Sequence, residues 1–368
     1  MKRPHAVVAL VVLALAASGL AHAQIKPAAQ SRNLEIYWID ADGGAATLIV
    51  SPSGESMLID TGYPDNDRDA TRIAAAARHA GLARIDHVVI SHYHRDHVGG
   101  LAALAKMIPL GRYYGPNDKI ELVNREWYDS YIAASAGKRT IVKPGDRIPL
   151  KGVQVVVVSA NEQFIAKPLK GGRTNPLCAN AADMSPAGFE NSRMVGLVLG
   201  YGRFTYLNLI DIDWHSELAL VCPVNKLGRI TLYQTNRHGS DAAGAPAFLG
   251  AILPQVVVVN NGPKKGIGVG DKRLQPIVDL ARPAPAYAGN TYVRLAALPR
   301  IEGIWQGHLS LVDKDPAHNT AEDMIANLED TPDCKGHWIK ASVARDGAFT
   351  VTNGRNGFTR TYSARQAK

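Results

Sequence analysis

His92-Tyr93-His94-Arg95-Asp96-His97 places three imidazoles and a carboxylate within six residues, directly after the apolar run Ile85–Ile90. Imidazole nitrogen and carboxylate oxygen are donors that zinc-class divalent cations take. Four such side chains cannot converge from a regular strand or helix, so the segment reads as a loop at a strand end. Gly99-Gly100 and a helical run, Val98–Met107, follow it. The competing reading, a surface histidine cluster, does not account for a position between a buried strand and a helix.

Outward from this segment, strands and helices alternate. Leu34–Ile39, Ala46–Val50 and Met57–Ile59 have the short apolar pattern of strands, and Arg68–Ala80 has helical spacing with Gly81 as a stop. Residues 115–138, with Trp127, Tyr128 and Tyr131, read as a helical insertion that either lines a cleft or packs on itself. Val153–Val158 is a strand, and residues 160–190, rich in Gly, Pro and Asn, form a long loop. A second round follows: strands Met194–Leu199, Arg203–Ile210, Arg229–Tyr233 and Gln255–Asn260, with helices Trp214–Val221 and Pro246–Leu253. Two such rounds predict two packed sheets with helices outside. From about residue 290 the pattern turns to short strands, ending in a hairpin of His337–Ala344 with Ala348–Thr352.

Three further segments join the histidine motif. Leu58-Ile59-Asp60-Thr61-Gly62 ends a strand about thirty residues before it, Tyr206–Asp211 runs as a strand into a carboxylate, and Asn236-Arg237-His238-Gly239-Ser240 follows another strand. In this order and spacing the chain resembles the metallo-β-lactamase superfamily over roughly residues 34–265, with HxHxDH and LIDTG as its signatures. The resemblance implies an α/β (α+β) fold, a four-layer αβ/βα metallo-β-lactamase sandwich over 34–290, with a small β-rich C-terminal extension, 291–368, packed on it. It also implies metal ligation by His92 and His94 at a first site and by Asp96, His97 and His238 at a second. Asp211 then bridges the two, Asp96 and Asp211 act in catalysis, and Asp60 braces the metal loop through hydrogen bonds. The cofactor expected is two Zn²⁺, with Mn²⁺ or Fe as alternatives, activating a hydroxide between them.

One feature departs from the superfamily pattern. Many members carry a third histidine for the first metal ahead of the bridging carboxylate, whereas this chain has Gly188-Phe189-Glu190-Asn191-Ser192-Arg193. That segment is similar to the ENxxS-like stretch in the metallo-β-lactamase-like domain of DNA-uptake competence proteins, and Arg237-His238-Gly239-Ser240 is similar to their HHGS. Asn191 is therefore either a weak oxygen ligand, a substrate contact or a turn residue, and the first site is expected to hold its metal more weakly. Lys264, with Lys265 beside it after the last core strand, is a candidate anion contact. His308 and His318 lie in the extension, where a fold-back to the site competes with ordinary surface or core roles.

Of the 368 residues 46% are apolar, enough for a large core, and the formal charge of +8 favours acidic ligands without a basic cluster. Lys2 and Arg3, the apolar run Ala6–Ala17 and Ala21-His22-Ala23 have the three regions of a signal peptide, so residues 1–23 are expected to be removed and the mature chain to begin at Gln24, with 24–33 as a linker. The protein is thus expected in the periplasm or secreted, with no stable membrane span. Of Cys178, Cys222 and Cys334, the expected disulfide is Cys178–Cys334, since Cys222 follows an apolar run and reads as buried. The function expected is metal-dependent hydrolysis of a phosphodiester or other phosphoester in a small or nucleic-acid-like anionic substrate. The alternatives are a carboxyl-ester, lactone or thioester hydrolase, and a non-catalytic metal-binding member of the fold.

Overall fold

The computed structural model describes residues 33–170, 172–181, 188–268, 290–313 and 315–364. The expected signal peptide, the Gln24 start and all but the last residue of the linker lie outside these residues.

The chain builds one sheet, then a second, then returns to the first. The first section contributes β1 (Leu34–Trp38), β2 (Thr47–Val50), β3 (Ser56–Ile59), β4 (Ile85–Val89), β5 (Leu110–Gly115) and β6 (Arg139–Ile141). The second sheet follows as β7 (Gln154–Ala160), β8 (Gln163–Phe164), β9 (Gly196–Tyr201), β10 (Phe204–Asn208), β11 (Leu232–Gln234), β12 (Val256–Val259), β13 (Gly303–His308) and β14 (Ile325–Asn327). Then β15 (Ile339–Val343), β16 (Phe349–Asn353) and β17 (Thr359–Tyr362) complete the first sheet. Among the described residues the orders are β17-β16-β15-β1-β2-β3-β4-β5-β6 and β14-β13-β12-β11-β10-β9-β7-β8. The C-terminal region therefore extends both sheets rather than sitting on their surface. It also includes a short helix, Thr291–Ala296, where only strands were expected.

Alternation along the strands sorts the core. In β3, Met57 and Ile59 face the space between the sheets, while Leu58 faces outward to a cluster with Ile73, Ala77 and Leu101 of the covering helices Arg68–His79 and Leu101–Met107. All four valines of β12 are buried, as expected of a parallel strand covered on both faces. A polar knot locks the sheets together: Gln234 Oε1 accepts from Trp38 Nε1 at 3.0 Å, Thr47 Oγ1 at 3.0 Å, Tyr206 Oη at 2.7 Å and Asn208 Nδ2 at 3.1 Å. The insertion helix, Arg125–Ser135, packs on the motif from behind, with the Tyr128 and Tyr131 rings 5.1 and 5.7 Å from Tyr93.

Parallel pairing sets the position of the site. β3 pairs with β4 with Ile59 opposite Val89, and β10 with β11 with Asn208 opposite Gln234. Asp60, the histidine motif, Asp211 and His238 thus all leave the carboxyl ends of parallel strands, where open α/β sheets present their functional loops.

The disulfide differs from expectation. Cys178 bonds Cys222, and Cys334 is free. Cys222 caps the helix Trp214–Val221 at its outer end rather than lying inside the apolar run, beside the short helix Pro176–Asn180. Cys334 lies in the loop between β14 and β15.

Candidate metal centre

Asp60 is the foundation of the site. Its φ of +60° is a left-handed conformation that Asp tolerates better than most residues. From there the buried carboxylate accepts the Ser91 N–H on Oδ1 at 2.8 Å and the Ser91 hydroxyl on Oδ2 at 2.7 Å. Oδ2 also faces His97 Nδ1 at 2.9 Å. In the neutral ring, a proton on Nδ1 leaves Nε2 of His97 with a lone pair directed away from Asp60. Burial raises the Asp60 carboxyl, a tendency that bonding to His97 and Ser91 opposes. Gly62, with φ +66°, completes the turn, and a Cβ there would lie 2.3 Å from Asp69 Oδ2, which accepts the Tyr63 N–H.

The motif turns immediately into a short helix, Arg95–Val98, so that Asp96 and His97 project from its first turn and His92 and His94 from the loop before it. His97 Nε2 lies 3.2 Å from Asp96 Oδ2 and 3.4 Å from Asp211 Oδ2. His238 Nε2 lies 3.3 Å from Asp211 Oδ1 and 3.5 Å from Asp96 Oδ2. The far side of the His238 ring faces the Asn260 carbonyl oxygen at 3.3 Å, which again leaves Nε2 for the site. Arg237 and His238 both adopt positive φ, and so does Ile210 at +57° just before Asp211. A β-branched residue in that region is strained, and the strain falls where the site carboxylate is aimed.

The four side chains Asp96, His97, Asp211 and His238 thus bring one ligand atom each to within 4.8 Å of one another. Two ligands held at ~2.0–2.2 Å by one tetrahedral cation are about 3.3–3.6 Å apart, which the N···O separations match. His97 Nε2, His238 Nε2 and Asp211 Oδ1 are buried and make no hydrogen bond within the protein. Buried polar atoms without partners are costly unless something else satisfies them. The donor set therefore fits a divalent cation. His92 and His94 form a separate pair beside this set, with His92 Nε2 and His94 Nδ1 2.9 Å apart and the His92 and His97 rings 4.2 Å apart. His92 Nδ1 faces the Ser91 hydroxyl at 2.9 Å.

Electrostatics prepares these groups for a cation. Burial, with His97 and His94 nearby, pushes His92 well below the usual imidazole range, so it stays neutral. Burial would raise Asp211, but His238 and His97 hold it well below the usual carboxylate range. His97 is raised well above the ordinary range because Asp96 and Asp211 outweigh its burial. Without a metal the charge of the acids is met by imidazolium; a cation replaces that proton.

Asn191 is buried in the short helix Phe189–Ser192, and its Oδ1 lacks a hydrogen-bond partner. The neighbouring Glu190 accepts the Glu121 N–H at 2.8 Å, and Glu121 Oε2 is 4.0 Å from His94 Nε2. The ENxxS-like segment therefore packs beside the His92–His94 end, where the third histidine is missing. Lys264 corrects the expectation for the lysine pair: it points outward to Asp330, with its side chain 75% exposed. The turn that pairs Gly262 with Lys265 carries Lys265 inward instead, where its ammonium contacts Asp96 Oδ2 and lies 3.3 Å from Tyr63 Oη. His308 and His318 do not reach the centre: His308 bonds Asp40 and His318 bonds Asp313. Sequence reasoning also passed over Glu217, whose carboxylate accepts from Asn236 Nδ2 at 2.6 Å and from the Gly244 and Ala245 N–H groups at 2.7 Å, fixing the His238 loop from beneath. An acid inside the apolar helix Trp214–Val221 was the available signal.

Residues 39–168, which include Asp60 and the histidine motif, match the model of the metallo-beta-lactamase superfamily. A metal-dependent hydrolase of Polynucleobacter asymbioticus is 28% identical over 220 residues, covering 58% of this chain and 72% of that protein. A hydroxyacylglutathione hydrolase of Aeromonas salmonicida is 40% identical over 47 residues, only 12% of this chain and 18% of that protein. Among solved structures, a metallo-beta-lactamase fold protein of Bacillus subtilis is 13% identical, covers 62% of this chain and 87% of its own, and has a TM-score of 0.40. Over residues 39–168, which carry Asp60 and the histidine motif, the chain is thus similar to the metallo-β-lactamase superfamily, and beyond them to proteins described as metal-dependent hydrolases.

Proposed function

We propose that this metal-dependent hydrolase cleaves a phosphodiester or other phosphoester in a small or nucleic-acid-like anionic substrate, and that it does so outside the cytoplasm. The observation that carries the reading is the convergence of Asp96, His97, Asp211 and His238, three of them with buried unpartnered atoms, beside the ammonium of Lys265. In this reading Asp96, His97 and His238 would hold one cation and His92 and His94 the other, with Asp211 shared between the two; zinc would suit the donors. Two cations bound there would supply a water acidic enough to attack at neutral pH and positive charge for the substrate oxygen.

The protein's own groups do the rest. Asp60 and Asn260 fix the two ring orientations, so the site keeps its shape while substrate enters. Lys265, partly exposed and kept protonated by Asp96 and Asp211 despite its burial, offers a cation to a substrate oxyanion. Hydrolysis breaks the P–O bond as water oxygen adds to phosphorus, and the leaving oxygen takes a proton. Support for export comes from the leader segment and from the Cys178–Cys222 disulfide, which belongs in an oxidising compartment.

A carboxyl-ester, lactone or thioester substrate is the second reading, favoured by the short match to a hydroxyacylglutathione hydrolase. Metal content and hydrolysis of generic phosphodiester, lactone and thioester substrates separate the two. Asp211→Ala is expected to lose metal and at least 10³-fold in rate, because it removes a ligand from both cations. Full metal content and rate in that variant would refute the bridging role. Two tightly bound metals in a wild type that hydrolyses no ester would favour a non-catalytic member instead.

A further inference from the structure

We propose that Asp40, His308 and Cys334 form a separate mononuclear site for a zinc-class cation. One ligand atom from each lies within 4.8 Å of the other two, and together they offer thiol sulfur, imidazole nitrogen and carboxylate oxygen. That is a donor set zinc takes in proteins.

Several observations support a ligand there. The three residues line a cavity of about 330 Å³ that is open to solvent, which gives a cation both an entry path and room for a water ligand. The side chains of Asp40 and His308 are each only 2% exposed. His308 Nε2 lies 2.6 Å from Asp40 Oδ1, so the two donor atoms already converge, and a cation would enter between them in place of the proton they share. Arg72 engages only the other carboxylate oxygen, Oδ2, at 2.6 Å, and donates to the Cys334 carbonyl at 2.6 Å. It thereby holds the loop that carries the thiol against Asp40. Burial pushes the Cys334 thiol up, so on its own the group stays protonated and is a poor nucleophile. A cation reverses that, since a coordinated thiol loses its proton.

The placement gives the site a task. Asp40 leaves β1 of the first sheet, His308 ends β13 of the second, and Cys334 comes from the loop that crosses back between them. A cation here fastens three segments remote in sequence. Asp40 also begins the loop whose Ala45 N–H donates to the Asp96 carbonyl at 3.0 Å, so the fastening braces the backbone of the candidate centre from outside.

The test is a cobalt titration of the metal-free mature protein with Cys334 reduced. The six ligands of the centre at Asp211 include no thiolate, and Cys178 and Cys222 are disulfide-bonded. A thiolate-to-cobalt charge-transfer band therefore reports Cys334 alone. Wild type is expected to show the band and to bind one equivalent more than Cys334→Ser, which lacks it. His308→Gln is expected to weaken cobalt binding at this band at least tenfold, and Asp211→Ala to retain the band. Zinc should slow alkylation of Cys334 at least tenfold. No band at saturating cobalt, or the same band and stoichiometry in Cys334→Ser, overturns the proposal.

Discussion

Asp60→Asn is a one-atom test of how the candidate centre is held. Asp60 accepts three hydrogen bonds, one on Oδ1 and two on Oδ2. Asparagine has nearly the same shape and shares the tolerance of Asp for φ near +60°, so the backbone is not the variable. If the amide nitrogen replaces Oδ2, it donates toward His97 Nδ1, which must then accept. The proton of the neutral ring moves to Nε2, the atom between Asp96 and Asp211, and the lone pair a cation needs is lost. If the amide flips, its nitrogen meets the Ser91 N–H, and two donors face each other in the core. Changes in groups that orient a metal ligand cost about 10- to 100-fold in metal affinity, equivalent to ~1.4–2.7 kcal/mol. Zinc affinity measured by chelator competition should fall by that factor in Asp60→Asn, with zinc content restored at high zinc. An affinity within twofold of wild type would show that Asp60 does not set the His97 tautomer.

Other expectations follow from the same geometry. Burial raises Glu217 to about 7 against an ordinary value near 4.5, so between those pH values the folded state holds a proton that the unfolded state has lost. Stability should therefore decline as pH rises through this window and level off above it, and Glu217→Gln should remove that slope in urea melts. The same variant should be less stable by ~1–3 kcal/mol at pH 8, because its amide turns a donor toward one of the three N–H donors. Cys222→Ser opens a link between residues 44 apart and should cost about 3–4 kcal/mol in a denaturant titration. Asn191→His should tighten the more weakly held of two zinc equivalents, seen by elemental analysis after dialysis, since it adds a nitrogen donor beside the His92–His94 pair; unchanged retention would separate Asn191 from the first site.

Much of this molecule was legible from local pattern. The apolar strands ran into charged or histidine-rich loops, and parallel pairing then forced those loops to one edge, so Asp96, His97, Asp211 and His238 converge. The errors came where a side chain's direction depends on a turn. Lys264 and Lys265 are adjacent in the same loop, and only the Gly262–Lys265 pairing decides which one turns inward. Cys222 was misjudged for a related reason: its apolar neighbours are buried by the helix face, but the helix ends just before it. Glu217 and Asn260 act on His238 through the fold and carry no spacing that announces them. The cluster of Asp40, His308 and Cys334 spans almost the whole chain, and no local motif links residues so far apart.

The return of the chain to its first sheet also orders events in time. β1 pairs on one side with β2, within a dozen residues, and on the other with β15, with Leu34 opposite Val343. A growing chain can form the near pair early, but the far edge of β1 has no partner until some three hundred further residues have been made. Contacts of such sequence separation close late, because loop entropy must be overcome before they contribute. A chain lacking the last thirty residues would leave Leu34, Ile36 and Trp38 at an open sheet edge, a template for pairing with other chains. Synthesis of β15, and not the appearance of the histidine motif, is thus the step at which β1 gains its second neighbour.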